Sequence, residues 1–591
     1  MSRQRTVQPA LPVSPVEPQT PWLRRTVLAL SALCLLGLFS TEVQDTDFWW
    51  HLKTGQYIVQ HHALPLPDPF AYTTAMNPPS YPGEEQVRHF NLTHEWLTQI
   101  LMYCVYAIGG LPLVTLFRAA LLAATCGLVG LLAARRSENF YAGVAATFAT
   151  ASLATWYTHD RPAIVTFLFI AGFIVLLEFR RALWAIPVLA LIWANCHGGF
   201  FLGWVVLLVY CAETLPPWTR WNFLSWRAMP PPDRRRLWLV TACAIAASGL
   251  NPNGFGVVST LLRYRGSNLT ANLVEWHRPY LWGSPYAFDV LLYAAALVLL
   301  ISWRKVMLTD WLLFAAFAGA ALMAVRNILL VGLLAPVLIA AYFPFRFRLP
   351  RAAAWAVPPL LAAGLAIGFS RGSFFQLRPT LWRFPVGAAD YMLANHVPGP
   401  IFNTYEYGGY LIWRLWPQYR VFVDGRAISE AAYKDGQQIL NNWGAPADQI
   451  VGPRADLLQR YGIQAVVMNT FEYNSGGAYA LPMALAKDPS GDWQLVYDDA
   501  QSLVFWRRPP PGTPVFAEKE KHVLEHLDRE CLTNIDNSPE ASLCARTLAD
   551  FWLRSGNAAR AERMLHVYLA HAIERDPEAE RVLQQLRDAS R

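Results

Sequence analysis

A short acidic and aromatic stretch at residues 42–51 carries side chains whose types and spacing suit chemistry. It reads EVQDTDFWWH, with two carboxylates, Asp45 and Asp47, one residue apart. A carboxylate at a membrane edge can act as a general base that takes the proton from an attacking hydroxyl group. Because the stretch directly follows the first long apolar segment, it predicts the mouth of an active site at a membrane surface.

Further polar sets stand where other apolar segments end, and they combine histidine, carboxylate and arginine side chains. Charged groups are costly inside a membrane, so mixed sets at its edge usually serve a function. Arginine binds phosphate through two parallel hydrogen bonds, which suits it to a lipid phosphate. We therefore predict that substrate contacts come from His51, Trp50, His94, Glu95, His159, Asp160, Arg161, His197, Glu275, His277, Arg278 and Arg326.

Simpler explanations compete with this one at several positions. A tryptophan such as Trp50 is also an ordinary anchor at a membrane interface. His197 precedes two glycines and suits a structural hydrogen bond in a loop as well as it suits catalysis. Asp45, Asp47 and His51 would also suit a divalent ion such as Mg or Mn. Two aspartates at this spacing favour a metal only weakly, so metal dependence stays open.

The composition is that of a protein embedded in a membrane. Of 591 residues, 54% are hydrophobic and 15% are charged, whereas soluble proteins carry about 25% charged residues. Apolar runs of about twenty residues recur between positions 22 and 370, which predicts a multi-spanning helix bundle. The net charge of +7 reflects arginines in the loops between these runs. A nucleic-acid partner, which needs a continuous basic stripe, is excluded.

The pattern divides the chain into four parts. Arginines before the first span and in alternate loops predict a cytoplasmic N-terminus and about eleven spans. The predicted fold class is mainly α, a polytopic membrane helix bundle followed by a soluble α/β domain and a short helical tail outside the membrane. The parts are a disordered tail at 1–21, a membrane domain at 22–370 with outer loops at 42–95 and 252–285, an α/β domain at 384–508, and a tail at 517–591 that resembles a tetratricopeptide helix pair.

The placement of residues 94–110 decides how the outer face is built. We predict a helix that lies along the interface, because a crossing here would put Arg135 and Arg136 outside the cell. Span two then covers residues 111–134, with Arg118 near its middle.

The α/β domain has strand-like runs and one conspicuous turn sequence. The runs lie at 400–403, 420–424, 464–468, 494–497 and 503–506, and the last two predict a hairpin. Asp424, Gly425 and Arg426 follow the second run, where a turn is favoured over a ligand crevice. In the tail, Cys531 and Cys544 would suit a disulfide if this part is exported.

Together these segments resemble the GT-C superfamily of membrane glycosyltransferases. The resemblance rests on the acidic motif directly after span one. It also rests on segments similar to those of poorly characterised bacterial members, namely DTDFWWHLKTG, HEWL, HDRP, ANCHGGF, NPNG, VEWHRP and IFNTYEYGGYLIWRLWPQYRVFVDGR. The resemblance implies a polyprenyl-phosphate-linked sugar as donor and a lipid, glycan or protein as acceptor. It also implies that Asp45 or Asp47 is the base, with Asp47 favoured, at the periplasmic face of a bacterial inner membrane.

Two other function classes stay open. A transporter or flippase for lipid-linked glycans would need polar residues in mid-membrane and on both faces, and Arg118 is the clearest mid-span charge. A membrane scaffold would use the helical tail to recruit a protein partner and would not need the outer carboxylate and histidine sets.

Overall fold

The protein's structure is a computed structural model that covers most of the chain. It describes residues 21–157, 159–215, 231–264, 274–282, 286–345, 349–441, 452–473, 475–537, 542–572 and 575–590. Several sequence predictions lie outside these residues: the tail before Pro21, the inner-loop arginines at 220, 227, 346 and 348, and positions 265–273 and 283–285 of the second outer loop.

Helices form most of the described residues up to position 370, as the apolar runs predict. They are α1 (Pro21–Phe39), α2 (Phe48–His61), α3 (Thr73–Met76), α4 (Glu84–Thr93), α5 (Trp96–Ser137), α6 (Phe140–Ala154), α7 (Ala163–Phe179), α8 (Ala185–Cys196), α9 (Phe201–Ala212), α10 (Pro231–Ser248), α11 (Val257–Tyr264), α12 (Tyr286–Ile301), α13 (Leu308–Met323), α14 (Ile328–Tyr342) and α15 (Arg351–Ser370).

Four helical segments of the described chain are long and apolar enough to cross a membrane: Pro21–Phe39, Glu84–Ser137, Val325–Tyr342 and Ala352–Ser370. Shorter apolar helices join them, at Ala163–Phe179, Ala185–Cys196, Gly198–Ala212, Tyr286–Ile301 and Leu308–Met323. Each predicted span overlaps a helix. Several helices are shorter than the roughly twenty residues that a straight crossing needs, so the number of spans stays a prediction.

Helix α5 contains a break between its two halves. Gly109 and Gly110 leave helical geometry, and Gly110 has φ 61° and ψ −158°, a conformation open mainly to glycine. Pro112 follows at once, where its missing N–H costs little at the start of the second half. The break falls where the interfacial helix was predicted to give way to span two, and the membrane placement of residues 94–110 stays a prediction.

Helix α14 lies at the centre of the bundle. Its residues from Ile328 to Leu338 are all buried, and the buried faces of the surrounding helices pack against them. Burial of apolar surface of this extent holds the helix ends at fixed positions, from which the polar loops project.

The C-terminal part contains a small mixed sheet. Its elements are α16 (Val386–Ala394), β1 (Ile401–Asn403), α17 (Tyr405–Leu415), α18 (Glu430–Asn441), α19 (Ala455–Arg460), β2 (Ala465–Met468), α20 (Leu481–Ala486), β3 (Trp493–Asp498) and β4 (Leu503–Arg507). The strand order is β1-β2-β4-β3, with β1 and β2 parallel and the other pairs antiparallel. The predicted β3–β4 hairpin is present.

The predicted strand at 420–424 is wrong. Val421 forms one isolated bridge, with Ala71 of the first outer loop. The Val421 N–H donates to the Phe70 carbonyl at 2.9 Å, and the Tyr72 N–H donates to the Val421 carbonyl at 3.2 Å. The segment finds its backbone partner in a loop of the membrane half, so it never joins the sheet.

Helix α17 joins the C-terminal part to the membrane half. A Cβ added at Gly409 would lie 2.2 Å from the Thr46 carbonyl oxygen, and one at Gly408 would lie 2.3 Å from the Val423 carbonyl oxygen. The two glycines therefore let the helix lie directly on the acidic motif. Phe48 and neighbouring aromatic residues of α2 share one buried core with the apolar face of α17.

The tail is larger than the predicted helix pair. It comprises α21 (Lys519–Asn534), α22 (Ser542–Arg554), α23 (Ala558–His571) and α24 (Pro577–Ser590), of which α22 and α23 form the predicted pair. Cys531 and Cys544 form a disulfide between α21 and α22. Helix α21 docks on the sheet, because Glu530 accepts hydrogen bonds from the Thr470 N–H and hydroxyl at 2.9 and 2.6 Å.

Candidate functional site

One arginine connects the acidic motif to a second loop. Asp45 and Asp47 lie in the turn before α2, where the Asp47 N–H donates to Asp45 Oδ1 at 2.9 Å. Arg161 comes from the loop before α7. Its Nη2 lies 3.1 Å from Asp45 Oδ1 and 3.0 Å from Asp47 Oδ2, and its Nε donates to Asp45 Oδ2. Arg161, predicted only as a substrate contact, is thus bound to both aspartates of the first acidic motif.

A third carboxylate and a second arginine extend this cluster. Arg161 Nη1 lies 3.2 Å from Glu275 Oε2, and Arg326 Nη1 lies 3.3 Å from Glu275 Oε1. The Arg326 guanidinium stacks over the Trp276 ring at 4.5 Å from its centroid. We call Asp45, Asp47, Arg161, Glu275 and Arg326 the carboxylate–arginine cluster. It gathers residues from loops far apart in the sequence.

Both oxygens of Asp45 and of Glu275, and Oδ2 of Asp47, lie within 3.3 Å of an arginine nitrogen. Asp47 Oδ1 faces Gly425, where an added Cβ would lie only 1.7 Å away. Gly425 belongs to a turn that Asp424 closes by accepting from the Arg426 N–H at 3.0 Å. The predicted turn is present, and it also forms one wall of the site.

The two aspartates differ in their proton affinity. Burial raises the pKa of Asp47 to about 6; Arg161 opposes this rise, while the charges of Asp45 and Glu275 add to it. Burial would also raise the pKa of Asp45, but Arg161 and then His159 hold it below its usual range. Neighbouring carboxylates with separated pKa values are typical of acid–base sites. Asp45 stays ionised while Asp47 can exchange a proton near neutral pH.

Asp160 occupies a different position from the one predicted. It is only 3% exposed, and its Oδ2 accepts from Arg118 Nη1 at 2.6 Å, so it holds the protein together and is not placed for substrate contact. Arg118 also donates to the Phe39 carbonyl at 3.2 Å and to the Thr41 hydroxyl at 3.1 Å. This arginine therefore fixes the end of α1 and the loop that carries Arg161.

His51 and three other predicted residues form a separate cluster around one carboxylate. Glu95 Oε1 lies 3.3 Å from His94 Nε2 and 3.6 Å from His197 Nε2, and Glu95 Oε2 lies 3.6 Å from His51 Nδ1. The Gly199 N–H donates to His197 Nδ1, so the proton of neutral His197 is on Nε2, toward Glu95. The cluster fastens α2, α5 and α8 to one another, and this structural role for His197 is the simpler of its two predictions.

The effect of burial on the histidine pKa values is consistent with a structural role for the cluster around Glu95. Burial lowers the pKa of His51 to about 4 and that of His197 to about 3, although Glu95 opposes both changes. Two neutral imidazoles are therefore held inside the protein at neutral pH. The predicted placement of His51 beside Asp45 and Asp47 as a metal ligand is not what the side-chain contacts show, because its ring nitrogen faces Glu95.

The remaining predicted residues lie at the rim or in the core. The His159 side chain is 56% exposed, with Nδ1 3.9 Å from Asp45 Oδ2. His277 and Arg278 are exposed, and the His277 carbonyl accepts from the Val325 N–H. Trp50 is buried, with its ring against His51.

Sequence reasoning missed Tyr405, the first residue of α17. Burial, followed by the nearby charges of Asp47 and Asp424, raises the pKa of Tyr405 well above its usual range. It therefore stays a hydroxyl donor near Asp47. Its ring centroid lies 5.8 Å from that of Tyr433. The adjacent pair Gly408 and Gly409 was the available signal, since paired glycines in a helix indicate close backbone approach.

A divalent ion does not fit the predicted ligands as they are placed. Within the described part of the chain, no group of three or more His, Cys, Asp or Glu side chains is arranged to hold a metal ion. Asp45 and Asp47 are bound to Arg161, and His51 faces the other cluster. The candidate chemistry of the site is thus carried by carboxylates and guanidinium groups.

Comparison with known proteins defines the fold. The chain is similar to the archaeal oligosaccharyltransferase AglB from Archaeoglobus fulgidus, whose structure was solved in complex with an inhibitory peptide and a dolichol-phosphate. The TM-score is 0.52 at 12% sequence identity, over 93% of this chain and 86% of that one. The chain therefore has an overall fold that resembles that of this solved oligosaccharyltransferase. No family model matches the sequence, and no curated protein does.

Proposed function

We propose that this protein is a membrane glycosyltransferase of the GT-C class. It transfers a sugar from a polyprenyl-phosphate-linked donor to a hydroxyl group of a lipid, glycan or protein acceptor. The fold resemblance to an oligosaccharyltransferase bound to a dolichol-phosphate supports this donor class. The observation that carries the proposal is Asp47, which has one oxygen beside Arg161 and the other against Gly425, where the two halves of the protein meet.

Asp47 is the base in this proposal. With its pKa raised to about 6 by burial, it is mostly ionised at neutral pH yet basic enough to accept a proton. The acceptor oxygen attacks the anomeric carbon and forms the new glycosidic bond, while its proton passes to Asp47. The bond from the sugar to the phosphate oxygen breaks, and the polyprenyl phosphate leaves with the electron pair.

Arg161 and Arg326 stabilise the leaving phosphate. Their side chains are 35% and 32% exposed, so part of each guanidinium is accessible to a ligand. A guanidinium carries five N–H groups and keeps its charge at any physiological pH. Positive charge held in place where negative charge develops lowers the barrier to bond cleavage.

The same proposal assigns the surroundings of the site. We place the N-terminus in the cytoplasm and the C-terminal part on the periplasmic side of a bacterial inner membrane. The disulfide between Cys531 and Cys544 supports an oxidising compartment for the tail. The turn at Gly425 and the start of α17 border the acceptor, and the helical tail is available to a protein partner.

The test is sugar transfer by the purified protein in lipid. A panel of labelled polyprenyl-phosphate sugars is offered with membrane extract as acceptor, and wild type is compared with Asp47→Asn and Asp45→Asn. We expect transfer that depends on the donor and is lost in Asp47→Asn.

Two results together would contradict the proposal. If no donor on the panel is consumed, and cells carrying either variant behave as wild type, the glycosyltransferase hypothesis is wrong. Movement of an unaltered lipid-linked glycan across vesicles would then favour the transporter.

A further inference from the structure

The carboxylate–arginine cluster resembles a metal site in which a guanidinium occupies the position of the metal ion. Three carboxylates from two separate loops, Asp45, Asp47 and Glu275, surround one guanidinium. Divalent ions are held in this way, by oxygen ligands from different parts of a chain. Here the Arg161 guanidinium lies in that position, and it contacts all three.

The Arg161 contacts leave little room for an ion. Asp45 uses both oxygens, one with Nη2 at 3.1 Å and the other with Nε. Glu275 also uses both, with Arg161 at 3.2 Å and Arg326 at 3.3 Å. A magnesium ion needs oxygen ligands at about 2.0–2.1 Å in octahedral geometry. Bound to these oxygens, it would lie against two fixed positive charges.

We infer that Arg161 takes the place of a catalytic divalent ion, so the protein uses a permanent guanidinium charge instead of a metal. This inference rests on the proposed glycosyl transfer. The planar guanidinium offers two parallel N–H groups to a phosphate, which gives it the orienting role that an ion would otherwise have. The reaction then needs no added cation, and Asp47, whose Oδ1 faces Gly425, serves as the base.

The experiment measures metal binding and activity separately. Mn²⁺ is titrated into the full-length protein in lipid nanodiscs, and bound ion is counted by electron paramagnetic resonance without any donor. We expect no Mn²⁺ site tighter than about 1 mM in wild type. Arg161→Ala and Arg161→Gln vacate the point where the carboxylates meet, and each should gain one site at least about 100-fold tighter.

Two controls locate the gained site. It should disappear in Arg161→Ala combined with Glu275→Gln, because one of its three carboxylates is then neutral. Arg326→Ala should not gain a site, because Arg161 still binds Asp45 and Asp47. Two substitutions at position 161 protect the test against a variant that fails to fold.

The second measurement is sugar-transfer activity. Transfer by wild type should change less than about twofold after chelation with EDTA, since no bound cation is removed. A stoichiometric Mn²⁺ site in wild type, or transfer abolished by EDTA and restored by Mn²⁺, would overturn the inference. So would Arg161 variants that fold and gain no site. Failure of glycosyl transfer itself would appear instead as no donor consumption by wild type, whatever the Mn²⁺ titration shows.

Discussion

Two arginine–carboxylate regions, one at each end of the helix bundle, use the same side chains in different ways. Arg136, at the end of α5, donates to both oxygens of Asp310, with Nη1 2.8 Å from Oδ1, and its Nη2 also donates to the Tyr342 hydroxyl at 3.0 Å. The Arg136 and Asp310 side chains are only 13% and 4% exposed. Arg161, about 35% exposed, is shared among three carboxylates.

The difference separates a structural pair from the cluster that we propose to be reactive. At the Arg136 end, both Asp310 oxygens are bound by one planar guanidinium, which fixes helix against helix. At the Arg161 end, carboxylates outnumber arginines, and one oxygen, on Asp47, lies against the backbone at Gly425. Surplus negative charge beside a half-exposed cation is suited to proton transfer and phosphate binding.

The region around Arg136 also bears on the transporter alternative, which needs polar groups on both faces. Further polar groups are present at this end of the bundle, where Tyr210 donates to Glu178 at 2.7 Å and Thr309 donates to Glu213. These contacts hold helix to helix across the bundle interior, as the Arg136–Asp310 pair does. Their arrangement favours a structural role over a second substrate site.

The largest expected effect comes from removing the charge of Asp47. Asp47→Asn should lower the transfer rate by about 10²–10⁴-fold, because the acceptor hydroxyl loses its general base. Transfer is measured at saturating donor, together with the melting temperature. Asp390→Asn, at an exposed pair with Arg414, is the matched control and should transfer as wild type does. Equal rates for the two variants would show that Asp47 is not the base.

Arg118→Ala should break the buried pair and affect stability most. Removing one partner of a buried ion pair costs about 3–5 kcal/mol in the free energy of unfolding. The side chains of Arg118 and Asp160 are 2% and 1% exposed, so the remaining charge would stay desolvated. Arg161 is 35% exposed, so solvent screens part of its contacts, and Arg161→Ala should lower the free energy of unfolding by less than Arg118→Ala does.

The free energies of unfolding of Arg118→Ala and Arg161→Ala are measured by denaturant unfolding in detergent micelles. The double variant Arg118→Met with Asp160→Leu should recover most of the lost stability, since neither charge then remains buried. If Arg118→Ala is as stable as wild type, the contrast between a structural and a reactive arginine fails.

Gly425→Ala should disturb the reactive cluster without changing any charge. The added Cβ would lie 1.7 Å from Asp47 Oδ1, so the carboxylate or the turn must move. A displacement of about 1 Å at a catalytic group can lower the rate by about 10²-fold. Gly477→Ala is the control, because the nearest atom to its Cβ is the Ser475 hydroxyl at 3.2 Å. Unchanged transfer by Gly425→Ala would mean that the turn does not border the base.

The smallest effect is a pH dependence in wild type. Burial raises the pKa of Asp47 to about 6, and the base acts only when it is deprotonated. Transfer should therefore be constant above that pH and fall about tenfold for each further unit of acidification. The measurement is kcat/KM from pH 4.5 to 8, within the range where the protein stays folded. A flat profile would assign the base to a group of much lower pKa.

Much of the local architecture was predictable from the sequence. Apolar runs predicted the helices, alternation and turn residues predicted the β3–β4 hairpin, and the glycine pair at 109–110 coincided with the break in α5. The acidic motif at Asp45 and Asp47 was also found, because its position after the first apolar run is a local signal. The prediction of a strand at 420–424 was wrong because the pairing of this segment is not local. Its backbone partner, Ala71, lies in a distant part of the chain.

The sequence by itself determined where helices form and which polar residues stand at their ends, because hydrophobic periodicity acts over a few turns. Only the tertiary structure decided which polar residues meet. It separated His51 from Asp45 and Asp47, turned Asp160 inward to Arg118, and brought Gly425 against Asp47. These contacts depend on how buried surfaces pack together over hundreds of residues, and side-chain types alone do not encode that geometry.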